Sequence, residues 1–505
     1  MTKMFIHEIP IAVLSDSYKA GHPRQYPDNI KQATAYGEFR KAMFGNDHRI
    51  VFFGGRYYTE TFLNRQWTME DIDAAALFYS THNVPFTPYP FPEELFRKFV
   101  RENDGYFPVK VEMIPDGTVI YPHVPVYQIT ASDDYSRLVT FIETVLTMVW
   151  HPTSVATLAA HTRNAIVSSF GRSADEESSW KIDSRLHDFG FRGTSSIESA
   201  ILGGMGHLLS FTGSDTMAAA YYAQMAYNDG RPVAMSIPAT EHSVMTSWPD
   251  ELSAVRNMFK RFPGGLLATV GDSYDWKGFL DTVVPIMAKE KPEDLFWVIR
   301  PDSGDPLKCV LQGLEALEKN FDTTINSKGY KVINGAGILQ GDGLDISSLL
   351  KILYGVEAAG FSVENVAFGM GGGLLQKHNR DTMAFATKLS QVVLDDGTIV
   401  DKMKYPKTDK DKASMPGRLK VITMAGHPVT VPEEFHVWSD YAIETNLLRV
   451  VYDHGPVEVE HLTFDEMRAS LLIQWDRCKD GYNAIHPSLK RKMETIMEAH
   501  RANGN

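Results

Sequence analysis

The sequence predicts an α/β fold with parallel strands, because short apolar runs, polar corners and helix-period segments alternate from about residue 180 onward. Five of the apolar runs lie at residues 234–237, 266–270, 296–299, 337–340 and 365–368. Strands joined by crossover helices are parallel, so the corners that follow them lie on one face. A (β/α) barrel and a doubly wound open sheet both place functional sites there, and the alternation fits either architecture.

The clearest corner follows a strand-like apolar run, in the segment FWVIRPDSGDP (296–306). Four bulky apolar residues in a row are typical of a strand covered on both faces, and the Pro and Gly residues that follow end it. Arg300 suits bidentate contact with an anion and Asp302 suits a ribose hydroxyl, although a salt-bridged turn explains the same residues equally well. Asp305 and Pro306 are predicted as the N-cap and first residue of the next helix.

Other corners carry further candidate groups. Two glycine clusters, 341–343 and 369–373, let backbone amides approach an anion and predict a phosphate site, whereas each cluster also suits a tight turn. His242 follows Glu241 just past a predicted strand, where a neutral imidazole acts as a base or nucleophile. A structural histidine is the alternative there. The ring of Phe189 suits stacking on a flat heterocycle, or packing in the core.

The composition is that of a folded protein with one large and one smaller domain, since the chain has 505 residues, 43% hydrophobic and 22% charged. A formal net charge of −13 argues against nucleic-acid and membrane-surface binding, which need a surplus of Lys and Arg. The two cysteines, Cys309 and Cys478, have no spacing for zinc or a disulfide framework. No export signal and no run of about 18 apolar residues is readable, which predicts a cytoplasmic protein without membrane spans.

The sequence divides into four segments. Residues 1–150 are rich in aromatic residues, proline and charge, and predict an N-terminal α+β domain. Residues 151–400 contain the alternation and predict the catalytic domain. Residues 401–418 alternate in charge with few apolar side chains, which predicts a mobile surface loop. Residues 419–505 are expected to pack back on the N-terminal domain.

Seven motifs, taken in order, resemble the nicotinamide phosphoribosyltransferases, a family of type II phosphoribosyltransferases. The motifs are SDSYK (15–19), HDFGFRG (187–193), EHS (241–243), DSYD (272–275), IRPDSG (299–304), QGDG (340–343) and GGGLLQK (371–377). The resemblance is dense from about residue 185 to 390 and weak between about 60 and 170 and after about 470. It implies an irregular (β/α) barrel of the type II phosphoribosyltransferase kind with an N-terminal α+β domain, assembled as a head-to-tail homodimer.

The resemblance also implies a reaction, the transfer of a 5-phosphoribosyl group from 5-phosphoribosyl 1-pyrophosphate to nicotinamide. The products would be nicotinamide mononucleotide, for NAD salvage, and pyrophosphate. Phe189 would stack on one face of the base and Tyr18 of the partner subunit on the other, while Asp215 would accept a hydrogen bond from the carboxamide. Where vertebrate members carry a serine that touches the carboxamide, this chain has Gly271.

The resemblance also implies contacts to the ribose and phosphates, and a histidine that couples ATP hydrolysis to the reaction. Arg192 and Arg300 would hold the pyrophosphate or substrate phosphate, Asp302, Gly341 and Asp342 the ribose hydroxyls, Gly372 and Arg380 the 5′-phosphate, and Ser236 and Asp275 other parts of the substrate. Arg40, Lys404 and Lys412 match phosphate-binding residues of the family, although the residues between the two lysines differ. His242 matches a histidine that ATP phosphorylates, and His242, Arg300 and Asp302 would be the catalytic residues. Mg²⁺ would accompany the pyrophosphate.

Three other functions fit parts of the sequence. A nicotinate phosphoribosyltransferase shares the fold and the donor, but Asp215 would repel the nicotinate carboxylate. A non-catalytic binding protein should have lost some of the charged corner residues, which are all present here. A sugar-phosphate aldolase or isomerase needs a lysine or a base at a strand end, and Lys377 lies several residues past its glycine corner.

Overall fold

The predicted alternation of strands and helices forms one parallel sheet in the computed structural model, which describes residues 8–406, 413–436 and 442–502. The chain divides into two compact units. Unit 1 comprises Met1–Ser154, Asn379–Leu462 and Glu466–Asn505, and unit 2 comprises Val155–His378 and Thr463–Asp465.

The strands and helices of the described residues are numbered here in chain order. The strands are β1 (Ile30–Glu38), β2 (Ile50–Phe52), β3 (Lys110–Met113), β4 (Thr118–Ile120), β5 (Pro125–Ser132), β6 (Leu186–Asp188), β7 (Gly213–Ser214), β8 (Gly265–Val270), β9 (Leu295–Arg300), β10 (Thr323–Ile325), β11 (Lys331–Ile333), β12 (Ala336–Gln340), β13 (Val366–Met370), β14 (Ala386–Leu394), β15 (Ile399–Asp401), β16 (Leu419–Met424), β17 (His427–Pro432), β18 (Ala442–Ile443) and β19 (Arg449–Asp453). The helices are α1 (Ser17–Gly21), α2 (Gly55–Tyr58), α3 (Met69–Tyr79), α4 (Glu93–Glu102), α5 (Glu143–Leu146), α6 (Trp150–Ser173), α7 (Ile197–Leu208), α8 (Met217–Tyr227), α9 (His242–Thr246), α10 (Glu251–Arg261), α11 (Trp276–Gly278), α12 (Val284–Glu290), α13 (Pro306–Asn320), α14 (Ile346–Ala358), α15 (Gly372–Leu375), α16 (Phe464–Arg477) and α17 (Pro487–Ala502).

The parallel sheet of unit 2 has the strand order β7-β6-β13-β12-β9-β8. Residues 235–240 link its two edge strands. Met235 forms a parallel bridge with Gly213 in β7, and Ala239 forms one with Ala268 in β8. The main chain of Thr240 also donates to Ala268 O at 3.1 Å. This closure, with helices between successive strands, confirms the predicted irregular (β/α) barrel.

The apolar run of β9 is covered on both faces, as its composition predicts. Val298 belongs to a buried cluster with Ala268 and Leu339, from the neighbouring strands. On the opposite face, the fully buried Trp297 ring packs edge-on against Phe259 of α10, with ring centroids 5.4 Å apart. The strand therefore cannot alternate apolar and polar residues, and its polar chemistry begins only at its carboxyl end.

Unit 1 is built on an antiparallel sheet with the strand order β15-β14-β1-β5-β3-β19. Strand β19, from the C-terminal part of the chain, pairs with β3. The first 154 residues and the last part of the chain thus share one sheet. A second apolar cluster joins Tyr36 in β1 with Met415, Leu419 and Leu489.

Two predicted segment boundaries differ from the structure. Residues 379–400 lie in unit 1 rather than in the barrel domain, because β14 pairs with β1 from Ile30 opposite Leu394 to Glu38 opposite Ala386. Of the predicted mobile surface loop 401–418, residues 407–412 lie outside the described residues, and the last part does not lie on the surface. Residues 414–417 are buried there, and Met415 donates its main-chain N–H to Tyr36 Oη at 2.7 Å.

The state of the two cysteines and the length and polarity of the helices can be compared with what the sequence predicts. Cys309 and Cys478 are both free thiols, and both are buried. Within residues 8–406, 413–436 and 442–502, the helices are too short or too polar to cross a bilayer.

The predicted start of α13 is confirmed, since Asp305 is its N-cap and Pro306 its first residue. Asp305 Oδ1 accepts the main-chain N–H of Lys308 at 2.8 Å. We expect Asp305→Ala to lower the free energy of opening the first helical turn by about 1 kcal/mol, because that N–H loses its acceptor. Hydrogen–deuterium exchange of residues 307–309 should accelerate about fivefold. Asp305→Asn, which still caps, should exchange like the wild type; equal rates in all three proteins would contradict the capping role.

Candidate active site

The candidate active site lies at the carboxyl ends of the parallel strands in unit 2. The residues that follow these ends are Phe189 after β6, Asp215 after β7, Gly271 and Asp272 after β8, Asp302 after β9, Gly341 and Asp342 after β12, and Gly371 and Gly372 after β13. Glu241 and His242 follow the segment that closes the barrel. One sheet therefore brings together corners that are up to about 180 residues apart in sequence.

The Phe189 ring lies over two glycines at the ends of neighbouring strands. A Cβ atom at Gly369 would lie 2.0 Å from Phe189 Cε2, and one at Gly341 would lie 3.2 Å from it. The main-chain N–H of Phe189 donates to Met370 O at 3.0 Å. Gly369 is thus required by the ring and Gly341 lies in close contact with it, while the predicted approach of these glycine clusters to phosphate stays a prediction.

A pocket of about 790 Å³ opens beside this ring. Its lining includes Phe189, Arg192, Asp215, Thr240, Glu241 and Arg300. The pocket therefore combines an aromatic surface with charged groups of both signs, which is the composition expected for a polar small-molecule site.

Asp215 is exposed in the pocket and held from two sides. The Ser236 hydroxyl donates to its Oδ1 atom, and its main-chain N–H donates to Asp188 O at 2.9 Å. Among the described residues, none donates to Asp215 Oδ2. One carboxylate oxygen is thus fixed in place while the other can accept a hydrogen bond from a ligand.

Two buried ionisable residues lie beneath the pocket. Burial lowers the pKa of His187 to about 4, against the opposing effect of nearby Asp215. Burial raises the pKa of Asp188 to about 6, although its Oδ1 accepts the main-chain N–H of Gly190 at 2.7 Å. At neutral pH the imidazole of His187 is uncharged, so it adds no positive charge near Asp215.

Arg300 connects the aromatic surface to the acidic corners. Its guanidinium carbon lies 5.6 Å from the centre of the Phe189 ring. One terminal nitrogen donates to Thr240 O at 3.3 Å, and the other lies 3.7 Å from Asp302 Oδ1. Arg300 Nε is buried and has no hydrogen-bond partner in the described part of the chain. A bound anion would satisfy that donor.

His242 lies between two acidic corners. Its Nε2 atom is 3.2 Å from Asp302 Oδ2 and 3.9 Å from Asp272 Oδ1, while Nδ1 is 3.1 Å from Ser273 Oγ. The side chain is 45% exposed. A carboxylate only accepts hydrogen bonds, so Nε2 carries the proton and Nδ1 is the basic nitrogen of the neutral ring.

The other predicted site residues of unit 2 have varied environments. Asp275 caps α11, because its Oδ2 accepts the main-chain N–H of Gly278 at 2.7 Å. Asp342 and Arg192 are exposed. Gly372 is the first residue of α15, and a Cβ added there would meet open space.

The remaining predicted residues belong to unit 1 or are not described. Tyr18 is 56% exposed, and its ring meets the His22 ring edge-on at 4.8 Å. Arg40 donates through Nε to Ala384 O at 2.9 Å. Arg380 and Lys404 are exposed. Lys412 lies outside the described residues.

Two residues with unusual environments, Lys388 and Asp272, were not among the site residues predicted from the sequence. Lys388 in β14 is partly buried, and its pKa is lowered first by that burial and then by nearby Arg40 and Lys404. No motif marks it, because it lies in mid-strand. Asp272 stands in a marked corner, but nothing in the sequence separates its role from that of Ser273 or Asp275.

Comparisons with known proteins agree with this architecture. Residues 184–455 match the model of the nicotinate phosphoribosyltransferase (NAPRTase) family. Residues 10–111 match the model of the nicotinamide phosphoribosyltransferase N-terminal domain. Together, the two matches include strands of both units.

Curated relatives extend the likeness over most of the chain. A nicotinamide phosphoribosyltransferase of Xanthomonas campestris is 39% identical over 81% of this chain and 86% of its own length. A nicotinamide phosphoribosyltransferase of Acinetobacter baylyi is 29% identical over 92% of this chain and 98% of its own length.

Solved structures share the fold at low identity. The nicotinate-nucleotide pyrophosphorylase of Pyrococcus furiosus has a TM-score of 0.62 at 16% identity, covering 94% of this chain and 98% of its own. Human nicotinic acid phosphoribosyltransferase has a TM-score of 0.60 at 17% identity, covering 96% of this chain and 100% of its own. At these identities the likeness concerns the fold alone.

The buried His187 gives a test of the site's electrostatics. We expect its imidazole to stay neutral until the pH falls to about 4, because burial disfavours the charged form. An unfolded histidine takes up its proton near pH 6.5, so this residue should lower the free energy of unfolding progressively between about pH 6.5 and 4. NMR titration of ¹³C-labelled histidines, assigned with His187→Gln, measures the midpoint. A midpoint near 6.5 in the folded protein would contradict the burial argument.

Proposed function

The chain belongs to the nicotinate phosphoribosyltransferase family, and from this premise we propose that it transfers the 5-phosphoribosyl group of 5-phosphoribosyl 1-pyrophosphate to nicotinamide. The products are nicotinamide mononucleotide, in NAD salvage, and pyrophosphate. The observation that carries the proposal is the single pocket that joins the Phe189 ring, the Asp215 carboxylate and Arg300. A flat base, an amide and a phosphate group each find a chemical counterpart there.

The choice of nicotinamide over nicotinate rests on Asp215. Its free Oδ2 accepts a hydrogen bond from a carboxamide N–H, while a nicotinate carboxylate at the same place would face a like charge. Ser236 fixes the carboxylate through Oδ1. The names of the two bacterial relatives support the same choice.

In the proposed complex, the ribose contacts acidic residues of the site and the pyrophosphate contacts arginines. The transition state at the anomeric carbon is oxocarbenium-like, so carboxylates beside the ribose and cations beside the departing pyrophosphate stabilise the developing charges. We assign Asp302, Gly341 and Asp342 to the ribose hydroxyls. Arg192 and Arg300 receive the pyrophosphate, and the unpartnered Nε of Arg300 supports this assignment.

The 5′-phosphate and the metal ion complete the proposed complex. We assign the 5′-phosphate to Gly372 and Arg380, and further phosphate contacts to Arg40, Lys404 and Lys412. The described residues hold no cluster of three or more His, Cys, Asp or Glu side chains suited to a metal. We propose that Mg²⁺ would accompany the pyrophosphate, where a hard cation bound by oxygen ligands would offset the phosphate charge.

His242 couples ATP hydrolysis to the transfer. In the proposed step, a lone pair of the neutral imidazole attacks the γ-phosphorus of ATP, the bond to the bridging oxygen breaks, and ADP leaves. Water later hydrolyses the phosphohistidine and releases phosphate. The exposure of the ring and its hydrogen bond to the Asp302 carboxylate support this role.

A homodimer supplies Tyr18 of the partner subunit to the site. Tyr18 is 56% exposed in unit 1, where the described chain gives it little covering. In unit 2, α8 exposes a stripe with the helical spacing of four residues, formed by Met217, Tyr221 and Met225. Exposed apolar stripes mark association surfaces, which supports assembly of two copies.

The cytoplasm is the proposed location of the reaction. Both cysteines are free thiols, as is usual where glutathione keeps thiols reduced. The −13 charge of the chain gives no general attraction to anionic membranes.

A direct assay tests the proposed reaction. Purified protein is incubated with 5-phosphoribosyl 1-pyrophosphate, Mg²⁺ and either nicotinamide or nicotinate, and the mononucleotide formed is measured. We expect kcat/KM for nicotinamide to exceed that for nicotinate by roughly tenfold or more, because of the charge of Asp215. Asp215→Asn should reduce this ratio by about tenfold. Asp229→Asn removes an equal charge from an exposed turn outside the pocket and should leave the ratio unchanged.

Two results of this assay would contradict the proposal. Absence of mononucleotide with either base would overturn the reaction itself. An unchanged amide-to-acid ratio in Asp215→Asn would overturn the role of Asp215 alone.

ATP coupling has a separate test. We expect ATP to raise the yield of mononucleotide in the wild type, and His242→Ala to reduce the ratio of rates with and without ATP to about one, because the phosphoryl acceptor is gone. His436→Ala removes an exposed histidine of unit 1 and should keep the wild-type ratio. A His242→Ala enzyme that still responds to ATP would contradict the phosphohistidine.

A further inference from the structure

Asp272 is a buried carboxylate, and only one of its two oxygens accepts hydrogen bonds from described residues. Its side chain is only 2% exposed. Oδ2 accepts the main-chain N–H of Asp302 at 2.9 Å and the hydroxyl of Ser303 at 2.5 Å. These two hydrogen bonds hold the turn that carries Asp302 after β9. Half of the carboxylate therefore has a structural role.

The other oxygen of Asp272 has no such role. Oδ1 is buried, and no described residue donates a hydrogen bond to it. Leaving a charged oxygen unpaired in the interior is costly, so this atom calls for a partner, which can be a water, an ion or a side chain that moves toward it. His242 Nε2 lies 3.9 Å from Oδ1, which is close but too far for a hydrogen bond.

The present partner of His242 is required elsewhere in the proposed reaction. Nε2 is 3.2 Å from Asp302 Oδ2, and Arg300 approaches the other oxygen of Asp302 at 3.7 Å. Ribose hydroxyls that bind Asp302 would compete with His242 for the same carboxylate. Asp272 Oδ1, 3.9 Å from Nε2, would then lie within a small tilt of the half-exposed imidazole.

We propose that Asp272 is a positioning residue for His242, and that the Nε2–H hydrogen bond passes from Asp302 to Asp272 Oδ1 when ribose hydroxyls occupy Asp302. The inference rests on the proposed function. The exchange keeps the proton on Nε2 and hence the lone pair on Nδ1, and no covalent bond changes. It makes the orientation of the phosphoryl acceptor depend on whether the phosphoribosyl donor is bound.

A crystal structure of the wild-type protein with 5-phosphoribosyl 1-pyrophosphate tests the exchange directly. We expect the distance from His242 Nε2 to Asp272 Oδ1 to shorten from 3.9 Å to about 3 Å. The distance from Nε2 to Asp302 Oδ2 should lengthen beyond hydrogen-bond range. A bound donor with His242 still paired to Asp302 would overturn the inference and leave the proposed function standing.

Kinetics test the consequence with two matched variants. Asp272→Asn keeps a carbonyl oxygen for the Asp302 and Ser303 donors but turns an amide N–H₂ toward His242, where it cannot accept. We expect it to lower the stimulation of mononucleotide formation by ATP by about tenfold or more, the effect of losing a hydrogen bond to a charged group. Ser303→Ala removes a donor from the structural oxygen only, and its stimulation should stay within about twofold of the wild type.

The outcomes separate the positioning role from a structural one. Equal loss of ATP stimulation in Asp272→Asn and Ser303→Ala would show that Asp272 only holds the turn, which overturns the inference. Full stimulation in Asp272→Asn would overturn it as well. Failure of the wild type to bind the donor or to form mononucleotide would instead overturn the proposed function, and the inference with it.

Discussion

The site depends on one set of interactions. These are the main-chain hydrogen bonds that residues 235–240 form with both edge strands of the parallel sheet. Six strands at about 4.8 Å spacing would otherwise separate β7 from β8 by roughly 24 Å. On one side, Met235 donates to Thr212 O and accepts from the main-chain N–H of Ser214; on the other, Thr240 donates to Ala268 O. It thereby brings Ser236 to Asp215 and Thr240 to Arg300. A site built from distant corners exists because the sheet closes.

The pocket of this closed sheet contains charged side chains of both signs. Asp215 presents one free carboxylate oxygen to the pocket, and the nearby His187 is neutral because it is buried. Arg300 lies against the Phe189 ring, where the attraction of a cation for an aromatic face helps to hold it. The pocket therefore places acidic and basic groups beside one aromatic ring, which suits a polar substrate that carries charge.

Two acidic side chains also lie close to His242. Asp302 and Asp272 flank one imidazole nitrogen at 3.2 and 3.9 Å. Two acceptors for one donor allow the ring to change partner without a change of protonation. In the proposed exchange, such a pair would link the occupancy of the ribose subsite to the orientation of the imidazole.

Much of the fold and part of the site could be predicted from local sequence. The apolar run before Arg300, the capping pair Asp305 and Pro306, and the corners after the strands all follow from residue type and spacing. The assignment of β14 to the barrel failed because its partner, β1, lies about 350 residues earlier in the chain. Likewise, only the packed structure shows that Gly369 makes room for Phe189, or that one oxygen of Asp272 is left unpaired. These features depend on contacts between distant segments, which have no local signature.

A crystal structure of the protein with nicotinamide mononucleotide and pyrophosphate would test the central claim most directly. We expect the pyridine ring to lie on Phe189 with carbon atoms about 3.5–4 Å apart, and the carboxamide nitrogen to lie about 3 Å from Asp215 Oδ2. We also expect pyrophosphate at Arg300. A nucleotide bound with its phosphate beside Asp215, or bound outside the pocket of unit 2, would contradict the proposed binding mode.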